Sequence, residues 1–309
     1  MKLVLIGHCC FDVFRAGSAD AVTRTGGILL PARVLGELAA PGDIVVPVCG
    51  VGAADHPAVL EELSAVPAVS TAGVFTLPGA TPSVFHTAGP DGPGVTCARE
   101  VAPPISFDRI RKHLAGADGI LVNMMSGSDI ALDTLDLVRM EIRARGVPVV
   151  LDYHNLTRGV NDRFERFRRP LPEWRRWAFM NDIVQANEEE MGMFGAGSDT
   201  EGVVAGHLLT LGVRAAVVTR GAGGATVYTS EQKKVRRHDI PPAAPGLAAH
   251  VPGMGDIFGA AMLRRYAGDR DPLAAAAFAA ATAARHLADR AALTGVTAAV
   301  AGPPDGSRR

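Results

Sequence analysis

The stretch HVPGMGDIFGAAML, residues 250–263, carries the reading of the whole chain. Gly253 and Gly255 flank a single residue, an acid follows at Asp256, and an apolar helical pattern opens at Ile257. Glycines lack a Cβ, so the backbone N–H groups beside them can turn inward. A helix starting behind such a turn favours an anion, because its first amides have no intrahelical acceptor and its dipole is positive there. Adding a carboxylate at the same point sets a base beside a charge clamp, the combination that phosphoryl transfer to an alcohol requires. An Asp cap behind a glycine turn is the plainer reading of the same residues.

Outward from this stretch, short apolar runs alternate with helical patterns, the signature of a parallel sheet covered by helices. Strands are expected at 3–7, 44–48, 119–124, 147–152, 183–186 and 215–219, with helices at 31–38, 57–63, 130–144 and 202–211 between them. Pro31 suits a first helical turn, where its missing N–H costs little. Residues 83–88 and 94–101, joined by Gly-Pro-Asp-Gly-Pro, read as a hairpin. With residues 11–25 they predict a small accessory sheet, a lid over one end of the main domain. One domain is expected over 1–301, and the Pro/Gly/Arg-rich residues 302–309 read as a frayed tail.

The composition narrows the field. Hydrophobic residues make up 48% of 309, enough for a large core. The formal net charge of −1 demands neither nucleic acid nor an anionic membrane as partner. Cys9, Cys10, Cys49 and Cys97 form no CxxC pair, which fits reduced thiols in a cytoplasmic protein. The apolar run at the N-terminus ends at Asp12 and reads as a first strand, not as a secretion signal. The segment RGVNDRFERFRRPLPEWRRW reads as a surface loop and helix, with arginines paired to Asp162, Glu165 and Glu173 and anchored by Trp174 and Trp177.

With these features on one chain, the sequence resembles the PfkB (ribokinase-like) carbohydrate kinase family. That family's signature reads D-T-x-G-A-G-D-x-F, and the core from Gly253 to Phe258 matches it, whereas His250, Val251, Pro252 and Met254 depart from it. Further landmarks follow the family's order. They are Asp12 after the first strand, Gly26-Gly27 before a helix, Gly50-Val51-Gly52 with Asp55, Asn187-x-x-Glu190, and Thr219-x-Gly221-x-x-Gly224.

The resemblance implies a three-layer α/β/α doubly wound, mostly parallel sheet with a β-sheet lid. It implies transfer of the γ-phosphate of ATP to an alcohol of a sugar-like or nucleoside substrate. Asp256 is then the base and Gly253, Met254 and Gly255 the anion hole. Asn187, Thr219, Gly221 and Gly224 would hold ATP, and Asn187 and Glu190 would hold Mg²⁺ through water. Asp12, Gly26, Gly27 and Asn123 would contact the substrate, and two copies would pair through the lid. His250 and Pro252 replace residues that in relatives help bind a monovalent cation, and Pro31 replaces a sugar-binding asparagine.

A non-catalytic sugar- or nucleotide-binding homologue is the alternative. A dinucleotide oxidoreductase is disfavoured, because no G-x-G-x-x-G follows the first strand and the run from Gly221 meets Thr226 and a strand-like Val227-Tyr228. None of the four lysines sits in a P-loop context, which disfavours a Walker-type NTPase.

Overall fold

The computed structural model describes residues 1–15, 21–89, 92–194, 199–243, 247–248, 251–294 and 299–300. His250, the tip of the expected lid hairpin and the tail at 302–309 lie outside them. The chain opens with β1 (Lys2–Ile6), β2 (Cys9–Arg15), β3 (Val22–Gly27), α1 (Leu29–Glu37), β4 (Ile44–Gly52), α2 (His56–Ser64) and β5 (Val74–Leu77). It continues through β6 (Ser83–Gly89), β7 (Gly92–Arg99), α3 (Phe107–Leu114), β8 (Gly119–Asn123), α4 (Leu132–Ile142) and β9 (Val149–Asp152). A hairpin of β10 (Arg158–Val160) and β11 (Arg166–Arg168) precedes α5 (Trp174–Phe179), β12 (Ile183–Asn187), α6 (Glu188–Met191) and α7 (Glu201–Thr210). Last come β13 (Ala215–Thr219), β14 (Ala225–Glu231), β15 (Lys234–Ile240), α8 (Met254–Asp269) and α9 (Pro272–Thr294).

Strand alternation builds the three layers. In β1, Val4 and Ile6 join the core under α3, α4, α5 and α7, while Leu3 and Leu5 join the one under α1, α2, α8 and α9. In β8, Ile120 and Val122 face the first core and Leu121 the second; in β9, Val149 and Leu151 divide from Val150 in the same way. Successive strand side chains point to opposite faces, so a strand apolar on both faces must be sandwiched between helices.

Among the described residues the main sheet runs β15-β14-β13-β12-β9-β8-β1-β4-β5. It is parallel from β13 through β5 and antiparallel at β14 and β15. From β1 the chain first builds outward through β4 and β5, then returns to place β8 on the other flank. The strand order therefore reverses between β1 and β8, where the carboxyl ends of the strands open a crevice.

A separate four-stranded sheet, β3-β2-β6-β7, leaves the main sheet after β1 and after β5 and returns into α1 and α3. This is the expected lid, with its hairpin at the expected place. The six expected main strands and four expected helices are all present, shifted by one or two residues at most of their ends. Helix α1 begins at Leu29 rather than residue 31, which leaves Pro31 in the first turn, and α8 begins at Met254 rather than Ile257. No helix among the described residues is long and apolar enough to cross a membrane.

The arginine-rich segment departs from its expected pairing. Residues 158–168 form the β10–β11 hairpin. Arg158 and Arg168 pair with Glu189, and Arg176 pairs with Asp133 and Asp136 as well as the expected Glu173. Glu165 instead accepts from Asn161 Nδ2 (3.0 Å). Trp174 and Trp177 are buried anchors, as expected. The reason is topological: the hairpin carries Arg158 and Arg168 towards α6, and the packing of α5 on α4 brings Arg176 to acids distant in sequence.

Leu121 on β8 is fully buried between the helices and the sheet. Leu121→Ala is expected to lower the unfolding free energy by about 2–5 kcal/mol, read from urea denaturation, because a central position cannot collapse around the lost volume.

Candidate active site at the strand ends

The register pairs Asn123, the last residue of β8, with Asp152, the last of β9. Both are buried. Helix α8 packs against these strands and points its first turn at their ends, which brings Asp256 down onto Asn123. One side-chain amide then holds two acids: Asn123 Nδ2 donates to Asp256 Oδ1 (2.7 Å) and to Asp152 Oδ2 (3.1 Å). From the next strand, Gln185 Nε2 donates to the carbonyl of Gly255 (2.9 Å), fixing the start of α8 to the sheet.

The entry to α8 depends on one glycine. Gly253 is its N-cap at φ +87°, a left-handed conformation that a side chain disfavours. The first intrahelical bond runs from Ile257 N to Gly253 O (3.1 Å), and Met254 N, one of the expected anion-hole amides, donates to the carbonyl of Val251 (3.4 Å).

Electrostatically the site is a cluster of buried acids. Burial, then the charges of Asp256 and Glu190, push the Asp152 carboxyl well above the usual carboxylate range. Burial also raises Glu190, which the charges of His154 and Arg158 partly oppose. Asp152, His154 and Asp256 each offer one ligand atom, all within 4.8 Å of one another. Two carboxylate oxygens suit a hard cation such as Mg²⁺; the imidazole suits it less well.

Asn187 and Glu190 form a complete capping box on α6. Asn187 Oδ1 accepts from Glu190 N (2.8 Å), and Glu190 Oε2 accepts from Asn187 N (2.9 Å). One oxygen of each is therefore committed to the backbone. Thr219 ends β13 beside Asn187, and a short 3-10 turn, Gly221–Gly223, leads on to β14. Arg220 braces this loop by pairing with Glu188 and Glu201.

On the lid side, Asp12 Oδ1 accepts from His86 Nε2 (3.0 Å), whose ring stacks on Phe14 at 4.8 Å. The Asp12 carboxylate lies against Gly26, where a Cβ would overlap its Oδ2. Beneath it, Cys10, Val84 and Met125 form the apolar floor of the lid.

The expected residues thus fall into two groups, the core around Asp256 and Asn123 and the lid around Asp12 and Gly26-Gly27, with Asn187 and Thr219 along the same strand ends. The amide of Asn123 is engaged by the two acids, and its Oδ1 is buried without a hydrogen-bond partner. Sequence reasoning missed Asp152, His154, Gln185, His86 and Arg166. The first was within reach, since an acid ending a parallel strand points into the crevice. The others depend on tertiary contacts and leave no pattern.

The model of the pfkB family carbohydrate kinases matches residues 157–297. No curated protein matches the chain by sequence. Among solved structures, a pyrophosphate-dependent kinase in the ribokinase family in complex with sulfate superposes with a TM-score of 0.74. It shares 16% identity over 92% of this chain and 94% of that one. Arabidopsis thaliana ribokinase complexed with ribose and ATP gives 0.70 at 21% identity, covering 91% of each chain. Burkholderia thailandensis nucleoside kinase in complex with inosine gives 0.70 at 18%, covering 93% of this chain and 91% of the other.

A carboxyl with a raised native pKa binds its proton more tightly when folded. Its contribution to stability is therefore present below the unfolded value, near 4, and is lost as pH rises towards the native one. Asp152→Asn removes that loss while keeping an oxygen for Asn123. Calorimetry should show a melting temperature above wild type, by a difference that grows from pH 5 to pH 8 and amounts to a few degrees, about 2 °C per kcal/mol.

Proposed function

We propose that the chain, whose residues 157–297 match the model of the pfkB family carbohydrate kinases, is a kinase of that family and transfers a phosphoryl group from a phosphate donor to an alcohol of a small sugar-like or nucleoside acceptor. The observation that carries this reading is Asp256, buried in the first turn of α8 and hydrogen-bonded by Asn123 at the sheet's switch point. An acid there can take the acceptor hydroxyl's proton while amides of the same turn stabilise charge on the moving phosphoryl group.

The chain's own residues divide the work. Asn123 orients Asp256, and Asp152, as its second acceptor, keeps that amide from rotating away. Asp12, held by His86, accepts from acceptor hydroxyls, and Gly26, with no Cβ, leaves room for its carboxylate. Lid closure excludes water, which would otherwise compete as phosphoryl acceptor. Thr219, Gly221 and Gly224 border the donor, with Asn187 and Glu190 beside its phosphates. Asp152, His154 and Asp256, or Glu190, would hold a divalent cation, which would supply neutralisation of donor phosphate charge.

The donor is ATP·Mg²⁺ or pyrophosphate. The loop at Thr219 supports ATP through the family resemblance, and the fold shared with a pyrophosphate-dependent kinase supports the second. The described thiols Cys9, Cys10 and Cys49 are free and buried, which suits a reducing, cytoplasmic compartment. A binding-only homologue has no need of an acid buried beside two others, since each adds a cost of burial.

Asp256→Asn is expected to cut turnover by at least about a hundredfold with donor affinity nearly unchanged, measured with ATP and with pyrophosphate on a panel of sugars, polyols and nucleosides. A near-wild-type rate would exclude Asp256 as base. Gly26→Ala displaces the Asp12 carboxylate and should raise the acceptor KM by about tenfold or more, with a smaller change in kcat. Steady-state kinetics on the folded variant checks this.

A further inference from the structure

The β10–β11 hairpin reaches out of the main domain and is bonded to the lid, where Ala98 N on β7 donates to Phe164 O (2.8 Å). From β11, Arg166 turns back under the lid. Both terminal nitrogens of its guanidinium donate to one acceptor, the carbonyl of Met125, at 3.2 Å each. That carbonyl already accepts from Asn155 Nδ2 at 2.5 Å. A carbonyl oxygen has two lone pairs, so three donors compete for it and the two from Arg166 are the long ones. The remaining side-chain nitrogen, Nε, is buried without any hydrogen-bond partner.

Its charge is equally underused. Among the described residues Arg166 forms no ion pair. Asp12 and Asp129 are near enough to act on it by charge, yet both are committed elsewhere. Asp12 holds His86. Asp129 accepts from His8 N, Ser126 N and Oγ, and Gly127 N, at 2.7–3.1 Å. The residue is half-buried, and burial lowers the guanidinium from its ordinary value. A half-buried cation with spare donors and no ion pair of its own is a natural partner for an anionic ligand. A guanidinium fork is shaped for two oxygens of one carboxylate or phosphate. Arg166 donates to the carbonyl of Met125, which packs with Cys10 and Val84 beneath the lid, and it lies within charge range of Asp12, the residue assigned to the acceptor.

We infer that Arg166 is a specificity residue of this chamber and that the acceptor carries an oxyanion, a phosphate monoester or a carboxylate, besides the hydroxyl presented to Asp256. This inference rests on the reading of the chamber as the acceptor site. Asp12 takes hydroxyls, Arg166 takes the anion, and together they set the acceptor's orientation. The lid bond at Phe164 makes the hairpin's position, and with it that of Arg166, follow the lid.

The test compares matched neutral and anionic ligands by titration calorimetry without donor: ribose against ribose 5-phosphate, fructose against fructose 6-phosphate, and glucose against gluconate. Wild type should bind the anionic member of at least one pair about thirtyfold or more tightly than the neutral one, the size expected of a desolvated charge contact. Arg166→Met should erase that preference while leaving the neutral member's affinity within about twofold, and Arg166→Lys should retain part of it. The phosphate pairs and the gluconate pair separate the two sources of the anion. Absence of any Arg166-dependent gain across all three pairs overturns the inference, as does equal loss for neutral and anionic members, which marks Arg166 as a prop for Met125. Turnover of the same ligands is measured in parallel with ATP and pyrophosphate. Turnover of neutral acceptors alone leaves the kinase reading standing and removes this inference. Arg166-dependent binding without turnover keeps the inference and removes the kinase.

Discussion

Everything chemical in this molecule depends on one amide held between two buried acids. Asn123 donates both of its hydrogens, one to Asp256 and one to Asp152. Alone, either acid at this depth would lose its charge to desolvation, and the two together repel. The shared donor offsets part of both costs and fixes the distance between them. It also joins three elements distant in the chain, the ends of β8 and β9 and the first turn of α8, so that the site exists only when the sheet register is right.

The fold supplies that register at little cost. Parallel strands with apolar residues on both faces have one stable arrangement, a sheet between helices, and the reversal of strand order beside β1 leaves the strand ends open at one place. The β2–β3 half of the lid leaves after β1 and rejoins at α1, and the β6–β7 half leaves after β5 and rejoins at α3.

The β10–β11 hairpin ties the two halves of the site together. On one side Arg158 and Arg168 pair with Glu189, within the turn of the Asn187–Glu190 capping box. On the other, Phe164 holds the lid strand β7 and Arg166 lies beneath it. Exposed ion pairs of this kind contribute little stability individually. Their effect is positional: a lid motion and a shift of α6 are felt by the same short hairpin.

The sequence by itself determined the layers, the lid and the acid at the start of the last core helices. Apolar alternation is a local property of each strand, and a glycine turn ahead of an acid and a helix is legible wherever it occurs, so β1, β4, β8, β9, β12, β13 and Asp256 were all within reach. What only the tertiary structure decided is who meets whom. Asn123 could be placed at a strand end from the sequence, but its pairing with Asp152 and Asp256 follows from strand register and helix docking, which no local pattern encodes. His86 reaches Asp12 because β2 and β6 lie side by side, and Arg166 reaches Met125 because a hairpin turns it inward from a run that reads as solvated. Contacts among residues about 30 to 130 positions apart are set by packing the whole chain, and at that separation the order of residues carries no geometry of its own.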